Sequence, residues 1–124
     1  MQKIFLLWSA ALGALGVMIG AFGAHALSAM LEQTGRTATF ETAVKYQMYH
    51  TLALLATALL LGRAESRWFE YAGWAYIAGI IIFSGSLYIL CLSNVGKWGA
   101  VTPIGGLALI AAWVCLFIGV FKNL

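Results

Sequence analysis

The sequence predicts an all-α integral membrane protein folded as a four-transmembrane-helix antiparallel bundle. Three observations carry that expectation. Hydrophobic residues make up 63% of the chain and charged residues 9%, whereas a soluble domain is about half apolar and about a quarter charged. The 124 residues divide into four apolar segments separated by short polar connections, each close to the ~20 residues that cross ~30 Å of hydrocarbon. The single proline, Pro103, stands where a helix starts, so no span is kinked. This length holds one domain over residues 1–124 and leaves no room for a soluble catalytic module.

The first span is expected over residues 4–26. Lys3, the apolar run 4–19 and the triplet Ala24-His25-Ala26 imitate a secretory signal with its cleavage site. The run is longer than a usual signal core, so it reads as a retained span. A polar connection with Ser28, Glu32, Gln33, Thr34 and Arg36 follows, and Gly35 suits its turn. The second span is expected over 39–61, starting near Thr37 or Thr39 with Glu41 in its first turn and ending at Gly62. Its first two turns are amphipathic and suit the membrane interface. Arg63, Glu65, Arg67 and Glu70 form a charged loop, with Trp68, Tyr71 and Trp74 placed as an aromatic belt. The third span covers 68–92. A loop with Ser93, Asn94, Gly96, Lys97 and Gly99 leads to Thr102-Pro103, read as an N-cap and first helical position, and the fourth span covers 103–121.

The net charge of +3 comes from seven scattered basic residues, with no run able to track a phosphate backbone, so no nucleic-acid partner is expected. Cys91 and Cys115 fall in different apolar segments and read as small buried hydrophobes. Lys3, Arg63, Arg67 and Lys122 lie at one face of the predicted bundle and Arg36, Lys45 and Lys97 at the other. That slight bias favours a cytoplasmic N-terminus.

Four antiparallel spans bring four unusual stretches to one end of the bundle: GAFGAHAL (Gly20 to Leu27), TAVKYQMYH (Thr42 to His50), FSGSLY (Phe83 to Tyr88) and TPIGG (Thr102 to Gly106). In order and spacing these resemble the small four-helix membrane family known as domain of unknown function 423, over nearly the whole chain. The resemblance implies a multi-pass protein of the bacterial inner (plasma) membrane with this topology. It brings no activity, substrate or cofactor.

Within the spans, Gly13, Gly16, Gly20 and Gly23 recur at helical spacing on the first helix and let a neighbour approach closely, with a flexible gate as the alternative. Gly79, with Ala72 and Ala75, gives the third span a small-residue face. So many small faces suggest a homo-oligomer or larger membrane complex, with membrane lipids as the remaining partners. Gly105 and Gly106 suit tight packing against the first helix, or expose helix-start N–H groups to an anion such as a lipid phosphate. Ser84, Ser86 and Thr102 read as interhelical hydrogen-bonding groups.

Thr42, Tyr46, Tyr49, His50, Ala53 and Thr57 share one side of the second span as a polar stripe that should face protein or water. Gln47 lies beside it and reads as reaching toward the headgroups. His25 and His50, the only histidines, are expected at comparable depth and close to each other. The plain reading bonds the His25 ring to Tyr46, Ser86 or a free carbonyl, pinning the first helix to the second. An ion, lipid headgroup, quinone, metal or haem contact is the alternative. Two histidines fill only part of a metal shell, so no metal site and no cofactor is predicted. The four acidic residues are all glutamates, two of them at the far end from both histidines. No Ser-His-acid or thiolate constellation is present, so an enzyme is not expected. Nor is a transporter, for want of a broken mid-membrane helix or internal repeat. The expected function is that of a structural or accessory helix-packing subunit. A ligand, ion or metal/haem-handling bundle built on His25, His50, Tyr46 and Tyr49 is the alternative.

Overall fold

In lipid the backbone finds no hydrogen-bonding partner, so a chain this apolar must satisfy its own N–H and C=O groups locally, which helices do. The computed structural model describes all 124 residues, and 86 of its 104 backbone hydrogen bonds lie inside regular elements. Those elements are all helical: α1 (Gln2–Ala24), α2 (Ser28–Thr34), α3 (Thr37–Leu61), α4 (Arg67–Ser93), a short 3₁₀ turn (Gly96–Ala100) and α5 (Thr102–Asn123). Three stretches are long and apolar enough to cross a membrane: α1, α4 and Gly96–Asn123, which contains α5. α3 is 25 residues long, but Glu41, Lys45, Gln47 and several threonines dilute its first three turns.

The element ends follow from local chemistry. Gly35 ends α2 in the left-handed conformation, at φ +67°, where a Cβ would cost energy. The Ser66 hydroxyl accepts from the Trp68 N–H at 3.2 Å and caps α4. Two expectations are corrected here. The connection after the first span is not merely polar loop. Residues 28–34 wind into α2, anchored by fully covered Leu31 against Phe40, Leu90 and Cys91. Thr102 is not a cap either, since the N-cap is Val101 and Thr102 lies in the first turn of α5.

The long helices pack as a chain of antiparallel neighbours, α1 on α3, α3 on α4 and α4 on α5. Glycines set both outer seams. On α1, Gly13, Gly16, Gly20 and Gly23 lie opposite Thr51, Met48, Val44 and Phe40 of α3. On the other side, Gly79 of α4 faces Leu109, Gly105 of α5 faces Phe83, and Gly119 faces Phe69. Gly105 and Gly106 therefore pack against α4, not against the first helix. Phe5, wholly buried, sits over Gly73 and meets Trp74 edge-on at 5.3 Å, bringing the start of α1 against α4. The main core groups Phe5, Leu12, Leu54, Tyr76, Ile80 and Leu109.

The small-residue faces are thus turned into the protomer itself. Large apolar side chains occupy the outside instead, among them Val17 and Met18 on α1 and Leu107 and Phe117 on α5. In a bilayer those faces meet lipid.

Candidate functional site

A side-chain amide inside an apolar bundle must find partners for both its N–H and its C=O groups. Gln47, at 3% exposure, does so across two seams. Its Nε2 donates to the Leu12 carbonyl on α1 at 2.8 Å, and its Oε1 accepts from the Tyr88 hydroxyl on α4 at 2.5 Å. One carboxamide therefore ties three helices. Close by, Ser84 Oγ on α4 donates to the Ala43 carbonyl of α3 at 2.7 Å. Ser86 Oγ donates to its own helix at the Phe83 carbonyl, 2.9 Å away. With that proton committed, Ser86 accepts from the Thr102 hydroxyl at 2.6 Å, which joins α4 to α5. The end of the bundle is closed by Arg36 Nε, which donates to Asn94 Oδ1 at 3.2 Å. Asn94 itself caps α4 in the left-handed region.

Beside these ties lies an aromatic enclosure around His50. Nδ1 sits 2.8 Å from the Tyr46 carbonyl, and since a carbonyl only accepts, Nδ1 carries the proton. Tyr46 stacks on the imidazole at 5.8 Å, Tyr76 tilts against it at 6.0 Å, and Trp113 of α5 meets it edge-on at 5.8 Å. Tyr46 stacks in turn on Phe83 at 4.7 Å. Three helices thus meet at one imidazole. Tyr76 is wholly buried and its hydroxyl has no protein partner.

His25 belongs to neither group. It caps the C-terminal end of α1, its ring is exposed, and its backbone N–H and carbonyl, not its side chain, make the local bonds. The facing pairs along the α1/α3 seam set the reason. His50 lies close to Thr51, which faces Gly13, so the two histidines are separated by about eleven residues along the seam, about 16 Å at 1.5 Å per residue. They stand at different depths and do not approach each other, and His25 does not pin α1 to α3. No three His, Cys, Asp or Glu side chains converge, and two imidazoles so far apart cannot share one iron.

The polar stripe expected on the second span is rotated by about one residue. The inward face of α3 carries Phe40, Ala43, Gln47, His50, Thr51, Ala53, Leu54, Thr57 and Ala58, so His50, Ala53 and Thr57 of the expected stripe do point inward. Tyr46 and Tyr49 stay 40% and 57% exposed, facing outward, and Thr42 donates within its own helix to Ala38. Of the polar residues singled out from sequence, the structure joins Ser86 with Thr102, brings Ser84 onto α3 and sets Tyr46 on His50. It leaves Tyr49 at the rim. Gln47, expected to reach toward the headgroups, is instead buried and bonded to α1 and α4; Tyr76 and Trp113 were not singled out. The signal for Gln47 was its type: an amide within a span demands partners on neighbouring helices.

The family model described as "Protein of unknown function (DUF423)" matches residues 19–106. The chain belongs to that family. It is 42% identical over 121 residues to a UPF0382 membrane protein of Staphylococcus haemolyticus, covering 98% of each chain. It is 37% identical over 121 residues to the UPF0382 inner membrane protein YgdD of Escherichia coli, covering 98% of this chain and 92% of that one. No solved structure matches. The family's matched segment contains Gln47, Ser84, Ser86, Tyr88 and Thr102, so the side chains that make these interhelical ties lie inside it, with the Leu12 carbonyl just before it, in an integral membrane protein.

Proposed function

We propose that the protein is a four-span structural or accessory subunit of the inner (plasma) membrane, with α3 as the fourth span and the N-terminus cytoplasmic. One observation carries this reading: a set of polar side chains inside the bundle bonds each long helix to its neighbour. Gln47, Ser84, Ser86 and Thr102 bond across seams, and Thr57 bonds back to Ala53. α3 is the least apolar long helix, yet its burdensome residues Gln47, His50, Thr51 and Thr57 all point inward, which is how a polar span is tolerated in lipid. Such an interior is suited to rigidity, and no acid–base pair stands ready for catalysis. The outward apolar faces of α1 and α5 are the surfaces left for a second copy or a larger complex, with lipid around them.

Two measurements test this. Single cysteines placed at Gln33, Ala64 and Lys97 in a Cys91→Ala, Cys115→Ala background should label from the two faces in the pattern of four spans: positions 33 and 97 together, and 64 from the cytoplasmic side. Labelling of all three from one side overturns the topology. Purification in mild detergent, followed by native mass and identification of co-purifying proteins, should yield an assembly larger than one protomer. A monodisperse monomer with no stoichiometric companion overturns the accessory role.

A further inference from the structure

Glycines on α1 do more than bring α3 close. On one side of the α1/α3 seam runs a surface groove in two parts, divided where Met48 packs over Gly16. At the end nearest α2 its walls include Gly20, Gly23, Glu32, Glu41 and Lys45. One turn further along both helices the walls become Gly13, Ala14, Val17, Met48, Leu52 and Leu55. On α3 the lining positions 41, 45, 48, 52 and 55 follow one another at spacings of three and four, so they form a single stripe. The groove runs fourteen residues from Glu41 to Leu55, about 21 Å at 1.5 Å per residue. Half of a bilayer, headgroups included, is about 20 Å deep.

Along that depth the chemistry changes in a fixed order. The deep part is apolar. Next comes Lys45, whose long stem lets its ammonium rise toward the surface. Outermost, one turn further along α3 and across on α2, stand the carboxylates of Glu41 and Glu32. A phospholipid whose headgroup ends in a primary ammonium carries the complementary series: acyl chain, then phosphate, then cation. The geometry points to this groove as a binding site for one such aminophospholipid. Its acyl chain lies between α1 and α3, its phosphate meets Lys45, and its ammonium meets Glu41 and Glu32. An anionic lipid without an amine satisfies Lys45 but brings nothing to the two carboxylates. The inference rests on α3 crossing the bilayer, which the labelling pattern above checks separately from lipid binding.

The test is native mass spectrometry of the delipidated full chain in mild detergent, titrated with phosphatidylethanolamine and with phosphatidylglycerol. Phosphatidylethanolamine should bind one per chain about tenfold more tightly than phosphatidylglycerol, the scale of a lost charge-assisted bond. Lys45→Gln should weaken both lipids. Glu41→Gln with Glu32→Gln should lower phosphatidylethanolamine affinity about tenfold and abolish the preference. Ala14→Phe, at an exposed wall position, should fill the groove and block both. All these side chains lie at the surface, so the unfolding midpoint without lipid should match the parent chain, showing each variant folded. Equal affinity for the two lipids, or undiminished binding in folded Ala14→Phe, overturns the proposal. So does an unchanged preference in the folded double glutamine variant, which depends on no added bulk.

Discussion

The two outer seams of the bundle use the same residue for different ends. Between α4 and α5 glycine meets backbone: a Cβ on Gly105 would lie 2.7 Å from the Phe83 Cα, and one on Gly79 would lie 3.1 Å from the Leu109 nitrogen. Between α1 and α3 glycine meets the far ends of side chains. A Cβ on Gly20 would come 3.3 Å from a Val44 methyl and one on Gly13 would sit in ordinary contact with Thr51 at 3.7 Å, while those on Gly16 and Gly23 would run into the Met48 sulfur and the Phe40 ring. Backbone cannot yield, whereas side-chain ends can turn aside. The α4/α5 seam is therefore fixed by backbone at Gly105 and Gly79, whereas the α1/α3 seam is closed by side chains at Gly16 and Gly23 and is looser at Gly13 and Gly20, with a groove alongside.

Gly105→Ala should test the rigid seam most severely. The added carbon must push the helices apart, at a cost of about 3 kcal/mol, the upper range for overpacking. This should appear as a large loss in resistance to SDS unfolding, and a loss below the effect of Gly20→Ala contradicts the distinction. Gln47→Ala comes next, removing two interhelical bonds at about 1–2 kcal/mol, with Tyr88→Phe costing roughly half as much. Additive effects in the double variant would show that the amide and the phenol do not act as one unit. Gly13→Ala has room for its methyl and should raise stability by about 0.5–1 kcal/mol through helix propensity alone. His25→Ala should fall within about 0.5 kcal/mol of the parent, as an exposed position does. A larger loss at His25 would mean its ring holds something the helix end does not show.

Much of this fold was legible because lipid simplifies the code. Apolar runs, Gly62 and Pro103 bounded the long helices to within a few residues. α2 escaped because only Leu31 anchors it, and a seven-residue amphipathic turn between polar neighbours looks like loop. The rotation of α3 escaped as well. Tyrosines with hydroxyls suggest a polar interior stripe, yet Tyr49 stays at the rim and Tyr46 is only half covered, its ring laid against Phe83 and His50. The inward face was instead marked by Gln47, whose partners, a carbonyl on α1 and a phenol on α4, are set by register and cannot be found from spacing along one helix. Depth misled at His25 for a related cause: α3 begins beside the end of α1, so each residue along α3 descends as α1 rises.

Gln47 also bears on the order in which the protein is made. As the chain is synthesised, α1 and α3 emerge before α4, and the amide bond to Leu12 needs only those two. The acceptor half of the carboxamide must wait for Tyr88, some forty residues later. Until then the amide oxygen on the flank of α3 lacks its partner, and it gains one only when α4 docks there. A hairpin of α1 and α3 alone thus leaves one half of the carboxamide unpartnered, and α4 completes it.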